Sequence, residues 1–182
     1  MDFEKVLGII IKRFDEEKIS YGLIGGFAIG ALGISRSTID LDFLVNKDDL
    51  KKIEQVLRAI GYESVFKSEN VAQYVSPVKI MGEIDFLLAF RGPSLKMLEK
   101  AISVDVFEGK YKIKVVKPED IIGLKLQALV NDPERLAKEY TDIEALMKQY
   151  DQQLDWPVIE EYFGIFNKQD KFSELKRKYH AE

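Results

Sequence analysis

Asp40 and Asp42 stand one residue apart in the run IDLDFLV, where every neighbour is apolar. In an extended strand residues i and i+2 share a face, so both carboxylates project together while Leu41 and Phe43 turn the other way. Like charges on one partly buried face repel each other and are poorly solvated unless a cation lies between them or one is protonated. A divalent ion resolves that conflict. The chain has no cysteine and a single histidine, His180, so an all-oxygen site for Mg²⁺ or Mn²⁺ is expected rather than a zinc site. A second apolar run, GEIDFLL, carries Asp85. From an adjacent strand it would complete a three-carboxylate cluster able to hold two ions for phosphoryl or nucleotidyl transfer. The structural alternative for any one of these aspartates is a cap or a turn.

Gly25 and Gly26 follow the apolar segment YGLI and precede FAIGAL. A Gly-Gly turn between a strand and a helix lets backbone N–H groups approach an anion, which suits a phosphate. The chain contains neither GxxxxGK[ST] nor GxGxxG, so neither a P-loop nor a dinucleotide fold is supported.

The elements that must position these residues follow from periodicity. A helix is predicted from Asp2 to about Glu17, with Val6, Ile9, Ile10 and Phe14 as its apolar stripe, then a strand over Tyr21–Ile24. A short helix over Phe27–Leu32 and a buried strand over Ile39–Val45 come next. Asp48–Ile60 reads as a helix stopped by Gly61. Strands are expected at Val71–Ser76, in part of Val78–Phe90, and at Val104–Phe107 and Tyr111–Val116 around Glu108-Gly109, with a helix near Leu95–Ile102. From Pro118 onward three or four helices are predicted, Asp132 being a natural N-cap. The reading is an α/β (α+β) mixed-sheet core over residues 1–116 and a helical C-terminal subdomain over 117–182.

Composition narrows the function classes. The 182 residues are 46% hydrophobic and carry a net charge of −4, enough apolar content for a core and no global attraction to nucleic acid or an anionic membrane. The longest apolar stretch, Tyr21–Ile34, is shorter than a membrane span requires and rich in glycine. The N-terminal residues are unlike a signal peptide, and absence of cysteine fits a reducing interior; a cytoplasmic protein with no membrane association is expected.

With Gly25, Gly26, Asp40, Asp42 and Asp85 in place, the chain resembles the nucleotidyltransferase superfamily of the DNA polymerase beta type. Within it, Arg36-Ser37-Thr38-Ile39-Asp40-Leu41-Asp42-Phe43 looks most like stand-alone prokaryotic enzymes related to AbiEii-type toxins. Lys125 in EDIIGLKLQAL, and Arg135, Lys138, Asp142 and Ile143 in PERLAKEYTDI, resemble that group's helical motifs. The resemblance implies transfer of a nucleoside monophosphate from a nucleoside triphosphate to an acceptor hydroxyl, with release of pyrophosphate. It implies Mg²⁺ (or Mn²⁺) on Asp40, Asp42 and Asp85, with Asp85 either holding a second ion or taking the acceptor's proton, phosphates over Gly25 and Gly26, nucleotide contacts from Arg36, Ser37, Lys125 and Asp142, a catalytic role for Lys125 in offsetting phosphate charge, and an antitoxin as a further partner. Read as residues alone, Lys125 lies on the stripe Ile121, Leu124, Ala128 as either a snorkelling side chain or a functional one. Asp142 has the spacing of an exposed ion pair with Lys138.

The acceptor is open among RNA or tRNA, a small molecule and a protein. Lys110, Lys112 and Lys114 alternate in KYKIKVVK, and Lys176, Arg177 and Lys178 form a basic cluster; both could meet phosphates, and both are also ordinary solvated faces. The rival class is a non-catalytic module that keeps the fold to bind a nucleotide or another protein, for which three crowded carboxylates would be an unnecessary cost.

Overall fold

The computed structural model describes residues 1–180. The chain divides into two compact units, Met1–Val116 and the residues from Lys117 onward.

The first unit is built on a seven-stranded mixed sheet of order β3-β4-β5-β2-β1-β7-β6. Its strands are β1 (Tyr21–Ile24), β2 (Asp40–Asn46), β3 (Glu63–Lys67), β4 (Val71–Val75), β5 (Glu83–Ala89), β6 (Ile102–Val106) and β7 (Tyr111–Val115). The pairs β2/β5 and β1/β7 are parallel and the other four antiparallel. Its helices are α1 (Phe3–Glu16), α2 (Gly25–Ala31), α3 (Leu50–Ala59) and α4 (Gly92–Glu99).

Helix α1 starts where Asp2 accepts a bond from the Lys5 N–H, satisfying one of the unpaired donors of the first turn. Its buried face is Val6, Leu7, Ile10, Ile11 and Phe14. That face is rotated from the expected stripe, so that Leu7 and Ile11 replace the half-buried Ile9. Phe14 is fully buried and meets Tyr21, Phe43 and Phe86 at centroid distances of 5.8, 5.8 and 6.3 Å. Phe43 and Phe86 stack at 5.5 Å across the β2/β5 pair. Strand alternation therefore gives one face of β2 to an aromatic slab, with Leu41, Phe43 and Val45 wholly buried, and turns Asp40 and Asp42 to the other.

Several elements differ from expectation, among them α2 and β6, which start two residues early at Gly25 and Ile102. Strand β3 is additional: all five of its residues are exposed, so it lacks the buried alternation by which strands are read. Helix α4 begins at Gly92, earlier than expected, because Pro93 occupies its first turn and Ser94 Oγ accepts from the Arg91 N–H. Residues 47–49 form a separate 3₁₀ turn before α3, seeded by Asn46 accepting from the Asp48 N–H.

The second unit holds α5 (Pro118–Asn131), α6 (Leu136–Tyr150), α7 (Trp156–Ile165) and α8 (Gln169–Tyr179). Asp132 caps the 3₁₀ turn Pro133–Arg135 by accepting from the Glu134 N–H. A buried ion cluster ties α5 to α6. Lys125 Nζ lies 2.6 Å from Asp142 Oδ2 and 2.8 Å from Glu139 Oε2, and Arg135 reaches Glu139 Oε1 at 2.6–2.8 Å. Lys125, Glu139 and Asp142 are buried, so two cations balance two carboxylates in a place where an unbalanced charge is costly. The exposed Lys138 pair expected for Asp142 is thus corrected: α6 turns Asp142 inward to Lys125 and leaves Lys138 on the outer face.

Two stability outcomes follow. Phe14→Ala is expected to cost about 3–5 kcal/mol through lost burial and the cavity left among three aromatic rings, read as a lowered urea midpoint. Lys125→Met, which leaves one cation for two buried carboxylates, is expected to cost about 3–5 kcal/mol by the same measurement. A Lys125→Met protein of unchanged midpoint would show that the cluster is not structural.

Candidate active site

Parallel pairing of β2 with β5 sets Asp40 beside Glu83 and Asp42 beside Asp85, so the register alone brings the third carboxylate to the first two. One oxygen from each of Asp40, Asp42 and Asp85 lies within 4.8 Å of the others, and all three residues are half-buried. Thr38 Oγ1 donates to Asp40 Oδ1 at 2.7 Å, and Gln73 Nε2 on β4 donates to Asp85 Oδ2 at 3.2 Å. Burial raises the pKa of Asp85. The Gln73 bond opposes that shift, and the charges of Asp40 and Glu83 add to it. The folded site thus disfavours the charged form of a group that a cation would restore.

The glycines adjoin the carboxylates. β1 ends at Ile24, paired with Asp42, and the chain then turns through Gly25 at φ +68°. A Cβ on Gly25 would lie 1.9 Å from Asp42 Oδ2, and one on Gly26 would lie 2.8 Å from Thr38 Cβ and Oγ1. Both positions require glycine, Gly25 for its backbone conformation as well. No side chain caps the start of α2, so the backbone donors there are open to a ligand. Beside them is a depression of about 570 Å³ whose lining includes Gly26, Phe27, Arg36, Ser37, Thr38 and Phe107. Arg36 donates to the Ser37 carbonyl at 2.6 Å.

The donor set fits a hard divalent cation: three carboxylates, all oxygen, crowded and half-buried. Of the residues singled out in the sequence, Asp40, Asp42, Asp85, Gly25, Gly26, Arg36 and Ser37 belong to the first unit. Lys125 and Asp142 belong to the second and pair with each other. Sequence reasoning missed Thr38 and Gln73, which bond the carboxylates. Thr38 stood within the motif two residues before Asp40, a readable signal. Gln73 carried none, since only the β4/β5 register places it opposite Asp85.

The basic stripes are compensated in part. Lys110 pairs with Glu4, Lys112 lies 4.0 Å from Asp105, and Lys114 donates to Ser103 Oγ at 3.0 Å. On α8, Lys178 pairs with Glu144 at 2.7 Å, while Arg177 donates to the Ser173 carbonyl. Among the described residues no helix is long and apolar enough to cross a membrane.

Among solved structures, the chain superposes on the antibiotic-resistance factor ANT(2'')-Ia with a TM-score of 0.68 at 16% identity, covering 100% of both chains. The lincosamide antibiotic adenylyltransferase LnuA, solved with lincomycin bound, matches at a TM-score of 0.54 and 20% identity, over 79% of this chain and 95% of that one. An antigenic nucleotidyltransferase-like protein from Paracoccidioides brasiliensis matches at 0.59 and 17%, over 97% and 92%. At these identities the likeness establishes a shared fold. No curated protein sequence matches the chain. A family described as uncharacterised nucleotidyltransferases matches residues 6–163, and the chain therefore belongs to that family.

Proposed function

We propose that the protein is a divalent-metal-dependent nucleotidyltransferase that moves a nucleoside monophosphate from a nucleoside triphosphate to an acceptor hydroxyl and releases pyrophosphate. The observation that carries this reading is the meeting of Asp40, Asp42 and Asp85, with oxygens within 4.8 Å of one another, beside two positions that only glycine can occupy.

Asp40, Asp42 and Asp85 would hold Mg²⁺ or Mn²⁺. Bound there, the metal would polarise phosphoryl oxygens and offset charge on the leaving pyrophosphate. The chain's own residues do the rest. Gly25 and Gly26 leave room for phosphates against the backbone, and Arg36 and Ser37 flank that room. Thr38 fixes the rotamer of Asp40, and Gln73 holds one oxygen of Asp85 so that the other is free to face a substrate. Asp85 would also take the proton from the acceptor hydroxyl, a transfer favoured when base and substrate lie within hydrogen-bond reach.

Lys125 and Asp142, which the resemblance implies as nucleotide contacts, enter this reading as a mutually neutralised pair that orders α5 against α6. The run Arg36–Phe43 supports a placement near AbiEii-type toxins, with ATP as one candidate donor. Tobramycin and lincomycin, named with two of the structural neighbours, show that small-molecule acceptors occur on this fold.

The test is pyrophosphate release from each nucleoside triphosphate with Mg²⁺ and cell extract. Asp42→Asn and Asp85→Asn are each expected to lose roughly 10³-fold or more in rate; retained activity in either would overturn the scheme. Gly25→Ala, whose Cβ would displace Asp42, is expected to weaken Mn²⁺ binding by about 10–100-fold, as other losses of ligand orientation do. Titration calorimetry with Mn²⁺ checks this without reference to turnover.

A further inference from the structure

The register of the sheet carries the face of the three aspartates outward across β5, β4 and β3. One row runs Asp42, Asp85, Gln73, Phe66, and the next runs Asp40, Glu83, Val75, Glu63. Residues opposite one another in a ladder share a face, so both rows form one surface continuous with the aspartates. A bulge between Ser64 and Phe66 brings the ring of Phe66 into the first row, where it is 51% exposed. Neighbouring strands lie about 4.8 Å apart, so Phe66 and Glu63 stand roughly 10 Å from β5, the span of a small molecule.

Phosphoryl transfer gives that surface a direction. The attacking and leaving oxygens lie in line on opposite sides of the phosphorus. Gly25 and Gly26, assigned above to the phosphates, are at the end of β1 on one flank of β2, whereas Asp85 is on the other flank. Pyrophosphate leaving on the β1 flank requires the acceptor to approach over β5, and hence over β4 and β3.

The charge of this face selects among acceptors. The site face of β3, β4 and β5 carries Glu63 and Glu83 with no lysine or arginine, and neither glutamate is in an ion pair among the described residues. Lys67 is on the opposite face, bound to Glu54. Lys79, in the connection between β4 and β5, is outnumbered. An RNA strand laid here would bring phosphates within about 8 Å, one Debye length, of two uncompensated carboxylates. An amine would instead find two counter-charges and the exposed ring of Phe66, whose π-face attracts cations.

Resting on the nucleotidyl-transfer reading, the geometry points to the β5–β4–β3 face as the acceptor subsite, built for a small hydroxyl-bearing organic cation. In the step it serves, the acceptor oxygen bonds to the α-phosphorus and the bond from that phosphorus to the α,β-bridging oxygen breaks. Pyrophosphate carries away the electron pair, and the hydroxyl proton passes to Asp85 and on to water.

The experiment supplies α-labelled nucleoside triphosphates, Mg²⁺ and three acceptor sets: a panel of hydroxylated amines that includes amino sugars, the same compounds N-acetylated, and a short oligoribonucleotide with a free 3′-hydroxyl. Label on the amines is expected, with N-acetylation and the variants Phe66→Ala and Glu63→Gln/Glu83→Gln each raising acceptor KM about tenfold while nucleotide KM moves less than twofold. Transfer to the oligoribonucleotide instead, equal transfer to acetylated compounds, or an acceptor KM indifferent to the variants overturns the assignment. Pyrophosphate released without label on any amine also overturns it and leaves nucleotidyl transfer standing. No pyrophosphate under any condition would defeat the underlying reading, and the subsite with it.

Discussion

Three carboxylates are held on two adjacent strands at a separation their mutual repulsion opposes, and the first unit is organised around tolerating that. The β2/β5 pairing cannot slip by one residue, because a slip would exchange the aspartates for Phe43 and Phe86 and put charge into the aromatic slab. The slab therefore does more than fill space. Stacking of Phe43 on Phe86, with Phe14 against both, locks the register from behind and fixes where Asp42 and Asp85 meet. Gly25 belongs to the same constraint, since the carboxylate of Asp42 occupies the volume where any other residue would place its Cβ.

The two units deal with buried charge in opposite ways. In the second, Lys125 and Arg135 match Glu139 and Asp142, so the cluster is electrically closed and joins two helices. Breaking such a set is costly because it strands a charge, and that cost is a structural role. In the first unit Asp40 accepts from the Thr38 hydroxyl and Asp85 from the Gln73 amide, and burial pushes the Asp85 pKa upward. Polar hydrogen bonds orient carboxylates without neutralising them. A folded protein that accepts this arrangement is poised for a cationic ligand, which is why perturbed carboxylates cluster at functional sites.

Legibility in the sequence followed the range of the interaction. The Asp40/Asp42 pair and the glycine turn were readable because strand alternation and turn chemistry are local. Asp85 was readable as a candidate by its apolar setting, yet its place beside Asp42 depends on a parallel register between distant segments that no local pattern encodes. Strand β3 escaped because a wholly exposed edge strand has no buried face to leave a period-two trace. The partner of Asp142 was misassigned for a related reason: the i,i+4 neighbour Lys138 is visible in one dimension, whereas Lys125 reaches Asp142 from another helix.

That unread strand changes how the sheet's charge is understood. The lysines on and beside β7 looked in the sequence like a surface for phosphates, but Glu4 pairs with Lys110 and Asp105 lies 4.0 Å from Lys112, so part of their field is met within the unit. The opposite edge adds Glu63 and the ring of Phe66 to the face that already carries Glu83 and runs directly into the aspartates, and neither glutamate has an ion partner among the described residues. Net charge could not show this, because a value of −4 for the whole chain averages a partly compensated edge with an uncompensated one. Charge acts on a ligand over roughly a Debye length, so the local balance beside Asp85, rather than the sum over the chain, governs which acceptors can approach.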